Sequence, residues 1–259
     1  MKKIIIILLI IFLAQCANAA QIKGYAEKQG ITIKANKVVD SQNGMPVSSA
    51  KINIPAKNYQ TTTDENGRFQ LQADINAPTI MSIEKEGYRP FSLTMDKYAM
   101  SKPIVIGIEK STPADIFIEQ DLLHLGDNNF SETSANASEF RAFSKGPIYK
   151  KIFNIPQLKL AQSAYLIIGS VIGIDTKMAI DLGQSKVQTT YSSPPEIFLN
   201  GSKIADLKIN GDHQEIKLPA NLIKTNNNEI MIKTGQNVFQ QNYVDYDDIE
   251  LMNLSIEVH

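Results

Sequence analysis

Acidic and amide side chains followed by a glycine, the kind of oxygen-rich run that can bind calcium, occur in the segment Thr61–Phe69. An EF-hand loop has glycine at its sixth position and oxygen ligands at its first and twelfth positions. With Gly67 at the sixth position, the first is Thr62 and the twelfth is Ala73, and neither supplies a carboxylate. Aspartate, asparagine and glycine are also the residues that favour tight turns. We therefore predict a turn between two strands here.

Three histidines, His124, His213 and His259, are the candidates for acid–base or metal chemistry. They lie in different segments and lack the close spacing of a motif such as H-E-x-x-H. No G-x-S-x-G nucleophile elbow occurs in the sequence. A carboxylate pair for glycoside hydrolysis is defined by its separation in space, which a sequence does not show. The sequence thus contains no recognisable catalytic constellation, and His124 is expected to pack or cap locally.

A carbohydrate site combines polar hydrogen-bonding groups with an aromatic ring on which the sugar stacks. Tryptophan, the usual platform, is absent from the chain. Tyr243 and Tyr246 lie close to Gln241 and Asn242, and Tyr191 is a further tyrosine of the same half. This mixture is typical of a ligand-binding loop, although tyrosines at strand ends are often only half-buried packing residues. We take these five residues as the ligand-binding candidates.

Residues 1–19 have the composition of a secretory signal peptide. Two lysines precede the apolar run Ile4–Leu13, and an Ala-Asn-Ala cleavage signature ends at Ala19. The apolar run is too short to span a bilayer comfortably. We predict an exported bacterial chain without a transmembrane segment after cleavage, located in the periplasm, at the cell surface or outside the cell.

Cys16 is the only cysteine, so no intramolecular disulfide is available and a hydrophobic core must stabilise the fold. The sequence Leu13-Ala14-Gln15-Cys16 resembles a bacterial lipoprotein box, in which the cysteine carries a lipid anchor. Gln15 departs from that pattern, because a small residue is usual there. Cleavage after Ala19 is favoured, and an acylated Cys16 is the alternative.

Composition excludes one class of partner and favours a folded chain. The formal net charge of −1 leaves no excess of basic residues for binding nucleic acid. Hydrophobic residues make up 43% of the chain, which suits a globular protein. The length after Ala19 is enough for two domains of ordinary size.

Short apolar alternations separated by turn residues predict an all-β fold with two antiparallel β-sandwich domains. The first covers residues 30–110 and the second residues 115–259, with Ser111-Thr112-Pro113 as a short linker. In the second, the apolar run Tyr165–Ile174 favours a buried strand, and Asn200-Gly201 is a hairpin signal.

The first half resembles the carboxypeptidase regulatory-like domain, a small transthyretin-like sandwich. The matching segments are VVDSQNGMPVSSAKINI, TTTDENGRFQL and IEKEGYRPFSL. The resemblance implies a fold and says little about activity, because such domains are attached to many exported proteins and usually lack catalytic residues.

The second half resembles galactose-binding-like jelly-roll domains. The matching features are the segment His124–Asp127 with Phe130, the segment Phe198–Gly201, and the closing segment Asp247–Leu251. This family includes carbohydrate-binding modules and many noncatalytic accessory domains. The resemblance further implies that Asn228 bonds backbone groups inside the fold.

A structural calcium ion is the one metal that this second resemblance suggests, and no cofactor is required. Related domains often bind the ion where the opening loop meets the closing strand, which here means Asp127, Asp247 and Asp248. Calcium takes six to eight oxygen ligands, which two acidic loops can supply. The alternative is that both loops are simply solvated acidic turns.

These patterns favour an exported, noncatalytic protein that binds a carbohydrate or another cell-envelope component through its C-terminal jelly roll. One alternative is a structural or protein-interaction module at the cell surface without a small-molecule ligand. Another is an accessory subunit of a glycan-degrading enzyme.

Overall fold

A computed structural model describes the chain over residues 35–99, 102–131, 134–135, 140–187 and 189–258. The predicted signal peptide and Cys16 lie outside these described residues. Export, cleavage and a lipid anchor therefore stay predictions, as do the domain boundaries.

Strands dominate the described part of the chain and confirm the predicted all-β fold class. In chain order they are β1 Asn36–Asp40, β2 Lys51–Ile54, β3 Tyr59–Thr62, β4 Arg68–Phe69, β5 Thr79–Glu84, β6 Phe91–Met95, β7 Val105–Ile108, β8 Ile116–Glu119, β9 Leu123–Leu125, β10 Ile148–Phe153, β11 Ala164–Ile172, β12 Glu196–Leu199, β13 Ser202–Asp206, β14 Gly211–Leu218, β15 Asn228–Lys233 and β16 Ile249–Val258. A short helix α1, Lys177–Asp181, follows β11. No helix within the described ranges has the length and apolar character needed to cross a membrane.

Strands β1 to β7 form two sheets, ordered β4-β1-β7 and β3-β2-β5-β6. Alternate residues such as Ile52 and Ile54 of β2, and Ile106 and Ile108 of β7, are buried together in one core. The pairing of β1 with β7 is parallel, so this half is not purely antiparallel as predicted. Parallel neighbours need a long crossover connection, and here the whole second sheet lies between them in the chain.

The segment Thr61–Phe69 is a turn, as predicted, but it connects two sheets and does not close a hairpin. Strand β3 pairs with β2, whereas β4 pairs with β1. The Oδ1 atom of Asp64 accepts a hydrogen bond from the backbone nitrogen of Arg68 at 2.7 Å. Gly67 has a φ of +70°, and a Cβ there would lie 2.4 Å from the Val38 carbonyl oxygen. Both the backbone conformation and the close approach require glycine.

Strands β8 to β16 form the second pair of sheets, ordered β10-β15-β12-β13 and β14-β11-β16-β8. Strand β9 also pairs with β16, where His124 lies opposite Glu250. The first and last strands of this half are therefore neighbours, as expected for the jelly roll. The core between the sheets is made of aliphatic residues such as Leu166, Ile230 and Leu254.

The predicted buried strand over Tyr165–Ile174 is present as β11, and both of its faces are covered. Leu166 belongs to the core of the second sandwich. Ser170 donates a hydrogen bond of 3.0 Å to Ser92 of β6, and Ile172 packs with Ile80 of β5. A strand that is covered on both sides needs a continuous apolar run, and this explains the sequence pattern.

Charged groups hold the two sandwiches together beside this contact. The Arg89 guanidinium contacts the Asp115 carboxylate through Nε and Nη2, both at 2.9 Å, and its Nη1 lies 3.0 Å from Glu257 of β16. Asp212 of β14 accepts hydrogen bonds from the backbone nitrogen of Thr94 at 2.9 and 3.0 Å. The sandwiches thus pack directly against each other.

Two local predictions for the second half are confirmed. Asn200 and Gly201, with φ values of +52° and +84°, form the turn between the paired strands β12 and β13. Asn228 is fully buried, and its side chain accepts a hydrogen bond from Lys224 N at 2.8 Å and donates one to Lys224 O at 2.9 Å.

Candidate functional site

The loop after β9 and the segment before β16 meet at one end of the second sandwich. Tyr246 N donates to Asp127 Oδ2 at 2.8 Å, and Asn129 Nδ2 donates to Asp245 Oδ1 at 2.8 Å. Asp248 Oδ1 accepts from the backbone nitrogen of Asn128 at 3.0 Å. The two acidic loops that the sequence singled out are therefore in contact.

Their carboxylates accept hydrogen bonds from protein N–H groups. The buried Asp245 carboxylate accepts from Asn129, from Ala135 N at 2.8 Å and from Asn237 Nδ2 at 2.8 Å. Burial, together with the nearby Asp248 and Asp245, raises the pKa of Asp127 above its ordinary value. Within the described ranges, no three His, Cys, Asp or Glu side chains are arranged to hold a metal ion. As arranged, these residues do not fit calcium, and the ion stays a prediction from sequence.

Asp247, the third predicted metal residue, faces away from this junction. Its Oδ2 accepts from Ser192 Oγ at 2.6 Å and from Asp175 N at 3.1 Å, and its backbone oxygen accepts from Thr234 Oγ1. Its Oδ1 has no hydrogen-bond partner among the described residues. Complete burial, and next the Asp175 charge, raise the pKa of Asp247 well above the ordinary range. The structure thus brings Asp127 and Asp248 together and separates Asp247 from them.

His124 is a buried packing residue, as predicted. Its Nε2 lies 2.8 Å from Asp248 Oδ1, and its Nδ1 lies 2.5 Å from the Ala142 carbonyl oxygen. The ring packs against Phe130 and Phe140 at centroid distances of 6.2 and 4.9 Å. Burial alone lowers the pKa of His124, but the bonds to Asp248 and Ala142 outweigh it and the pKa is raised. With acceptors at both nitrogens and no access to solvent, this histidine is suited to holding loops together.

The predicted tyrosine loop runs between β15 and β16, and backbone pairing places it beside Tyr191. Val238 N donates to the Tyr191 carbonyl oxygen at 3.1 Å. The rings of Tyr191 and Phe239 meet edge to face, with centroids 5.0 Å apart and an interplanar angle of 85°. This geometry is favourable for aromatic pairs. Tyr191 is therefore half of an aromatic pair whose other member, Phe239, is 57% exposed.

The other candidates are distributed unevenly along this loop. Gln241, Asn242 and Tyr243 are exposed, and Tyr243 has 54% of its surface accessible. Tyr246 is half-buried and lies at the acidic junction, where its backbone nitrogen bonds Asp127. The sequence analysis did not select Phe239, although this residue lies in the same uncharged segment as Tyr243.

A groove lies next to the aromatic pair, on the sheet that contains β12, β13 and β15. Its volume is about 270 Å³. Its lining is polar and charged, and consists of Ser193, Pro194, Glu196, Lys203, Asp206, Lys233, Thr234 and Gln236. Sequence reasoning did not find this groove, because its lining joins the β12–β13 hairpin to β15 and to the segment after β15, which lie farther along the chain.

The groove and the aromatic loop are connected by two backbone segments that are hydrogen-bonded to each other. Ser193 N donates to Gln236 O at 2.8 Å, and Gln236 N donates to Ser193 Oγ at 3.1 Å. Between these bonds, a Cβ on Gly235 would lie 1.9 Å from the Ser193 carbonyl oxygen. The segments around Ser193 and Gly235 therefore approach each other so closely that only glycine fits at position 235. This contact connects the aromatic pair to the groove.

Comparison with known proteins identifies no family. No family model matches the chain, and no curated protein matches it. A solved structure from Bacteroides uniformis, provisionally described as a carbohydrate-binding protein, is 12% identical, with 86% of this chain and 96% of that chain covered and a TM-score of 0.22. A Bacteroides fragilis protein of unknown function, provisionally described as membrane-associated, is 9% identical, with coverages of 87% and 96% and a TM-score of 0.22. At such TM-scores neither likeness carries an argument about this chain.

Proposed function

We propose that this chain is an exported, noncatalytic carbohydrate-binding protein of the bacterial cell envelope. In this proposal the second sandwich, a galactose-binding-like jelly roll, holds the glycan, and the first, a carboxypeptidase regulatory-like domain, supports it. The ligand lies in the groove between β12, β13 and β15 and extends onto the aromatic pair Tyr191–Phe239.

One observation carries the proposal, namely the backbone pairing of the segments that contain Tyr191 and Val238. Two residues farther along the same paired segments, Ser193 and Gln236 line a groove of about 270 Å³, a volume near the small end of the range for ligand pockets. Such a groove suits one sugar unit, with neighbouring units lying across the loop.

The chemistry of the two parts is complementary to a sugar. Ser193, Thr234 and Gln236 supply hydroxyl and amide groups that can exchange hydrogen bonds with sugar hydroxyls. Phe239 offers an apolar ring for the C–H face of the sugar, and Gln241 and Asn242 add exposed amides at its edge. Polar groups fix the orientation of a ligand, while apolar contact contributes affinity.

A glycan array probed with the full mature chain tests this proposal. We expect specific binding to at least one glycan. We also expect a loss of about tenfold in affinity for Phe239→Ala, which corresponds to about 1.4 kcal/mol, because truncating a central aromatic residue of a binding site often costs more than about 1 kcal/mol. The matched control is Tyr98→Ala, which removes a 74% exposed aromatic from the first sandwich. An array without any bound glycan, from a protein that is folded by circular dichroism, contradicts the proposal.

The noncatalytic part has its own measurement. Glycans that bind the protein are incubated with it, and reducing ends are counted over time. We expect no release above that of a sample without protein, and reproducible release by the pure chain overturns this part alone.

A protein-interaction role is the second candidate, because exposed apolar side chains occur in the aromatic loop and in helix α1, which follows a backbone bridge from Thr176 to Ser192. Val238, Phe239 and Val244 are 45%, 57% and 55% exposed, and Met178 of helix α1 and Leu182 at its C-terminal end are 43% and 47% exposed. Exposed apolar patches often mark interaction sites. An array negative for all glycans, combined with envelope-protein crosslinking that Phe239→Asp abolishes, favours this role. Crosslinking to a glycan-degrading enzyme in that experiment indicates an accessory subunit.

A further inference from the structure

The two lysines of the groove differ in their surroundings. Lys203 Nζ lies 2.8 Å from Glu196 Oε1 and 2.7 Å from Asp206 Oδ1, so one ammonium group holds both carboxylates of the groove. Lys233 forms no ion pair with any described residue. It lies directly opposite Glu196 in the strand register, but the Glu196 carboxylate is turned towards Lys203.

Charge is therefore distributed unevenly across the sheet. Strand β13 supplies Asp206 and Lys203, and the Glu196 carboxylate of the central strand β12 reaches towards this Lys203 ammonium. The opposite side contains Lys233, and the next strand, β10, places Ile148 beside it and Lys150 at the diagonal position. Diagonal cross-strand neighbours lie about 7–8 Å apart. Lys150 has only a long 3.8 Å contact with Glu229, and both side chains are well exposed, so that pairing is weak.

We propose that the glycan bound in the groove is acidic, with a carboxylate or sulfate group held by the Lys233 ammonium on the β15–β10 side. This inference rests on the proposed function and specifies its ligand class. A ligand anion at this position meets an ammonium group without a carboxylate partner, whereas at the β13 side it would face two carboxylates. The neutral lining groups, Thr234 and Gln236, remain available for sugar hydroxyls.

Binding of three oligosaccharide types to the full mature chain tests the inference. A uronic acid oligosaccharide, a sulfated oligosaccharide and a neutral oligosaccharide of matched length are titrated by calorimetry at low and high salt. We expect at least one acidic type to bind about tenfold more tightly than the neutral one, with the advantage shrinking as salt screens the charges. The acidic arm that shows this advantage identifies the anion as carboxylate or sulfate.

Matched variants separate the role of Lys233 from a general effect of charge. Lys233→Met keeps the apolar stem and is expected to bring the ratio of acidic-ligand to neutral-ligand affinity close to one. Lys233→Arg is expected to retain it. The control is Lys217→Met, which removes the same charge from an exposed position on β14 of the other sheet.

The possible failures are distinct. Equal binding of neutral and acidic oligosaccharides, or equal effects of Lys233→Met and Lys217→Met, overturns the acidic-ligand inference and leaves the carbohydrate proposal standing. Absence of binding to every glycan, with all variants folded, overturns both.

Discussion

Asp127, in the loop after β9, accepts a 2.8 Å hydrogen bond from the backbone nitrogen of Tyr246, in the segment before β16. The same carboxylate accepts from Asn129 N at 3.0 Å. Asp127, which the sequence suggested as a metal ligand, therefore connects the opening loop of the second sandwich to the segment before its last strand by accepting backbone hydrogen bonds.

Asp127→Ala removes the acceptor of two backbone N–H groups. We expect the free energy of unfolding in urea to fall by about 1 kcal/mol, since the site is partly solvated and water replaces some of the loss. Asp121→Ala, at another exposed acidic position, is the control. Equal effects of the two variants would show that Asp127 does not hold the loops together.

The sequence and the structure lead to opposite expectations for the effect of calcium on the melting temperature. The jelly-roll resemblance predicts that the ion raises the melting temperature and that EDTA lowers it. The structure predicts no change, because the Asp127 and Asp245 oxygens already accept protein N–H groups. Thermal melts with millimolar calcium and with EDTA decide, and a calcium-dependent rise that Asp127→Asn removes would falsify the structural expectation.

The raised pKa of the buried Glu250 carboxyl predicts that the protein loses stability as the pH rises. Burial raises the pKa of this carboxyl to about 7, with His124 opposing the shift. Its Oε1 lacks a hydrogen-bond partner among the described residues, and a cavity of about 50 Å³ beside it is also lined by Lys57 and Arg141. Because the folded pKa is above the unfolded value near 4.5, the folded state binds more protons between these values. Stability should therefore decline from about pH 4.5 to above pH 7.

The variant Glu250→Gln isolates this contribution. We expect it to flatten the fall in unfolding free energy between pH 5 and pH 8, by up to about 3 kcal/mol for a pKa difference of this size. Glu86→Gln, in an exposed turn, serves as the control. Urea denaturation at several pH values measures the slope, and parallel curves for wild type and Glu250→Gln contradict the prediction.

Arg89→Ala should weaken the contact between the sandwiches. It leaves Asp115, with 2% of its side chain exposed, and Glu257, with 9%, without their shared guanidinium. Removing one member of a buried ion pair costs about 3–5 kcal/mol. We expect a lower unfolding midpoint and faster proteolysis around Ser111. Arg68→Ala, which changes an exposed arginine, is the control, and equal proteolysis rates for both variants would count against the coupling.

Gly235→Ala should disturb the backbone contact that joins the groove to the aromatic loop. The added Cβ would lie 1.9 Å from the Ser193 carbonyl oxygen, so the two segments must separate. Overpacking of this kind costs about 1–3 kcal/mol, and we expect glycan binding to weaken as well. Gly211→Ala, where the nearest atom to the new Cβ is 3.7 Å away, is the control. Unchanged melting and binding would mean that the contact is not rigid.

Local features of the sequence predicted local structure well, because they depend on neighbours in the chain. The Asn200-Gly201 pair specifies its hairpin through the positive φ that both residues adopt. The run over Tyr165–Ile174 predicted a buried strand, because a strand covered on both faces is apolar along its length and β-branched residues favour strands. The turn around Gly67 was equally clear, but its role between two sheets was not.

Contacts between distant segments were decided by the tertiary structure alone. The acidic residues Asp127 and Asp248 were expected to lie close together, and they do. Their carboxylate oxygens, however, accept hydrogen bonds from backbone N–H groups that no sequence motif identifies. Likewise, Lys233 comes to lie next to the hairpin of Glu196 and Lys203 only because β12 also pairs with β15. Sequence by itself determined the all-β character, and it indicated the tyrosine loop without its exposed Phe239. Strand order determined the groove, because side chains on adjacent strands become neighbours regardless of their separation in the chain.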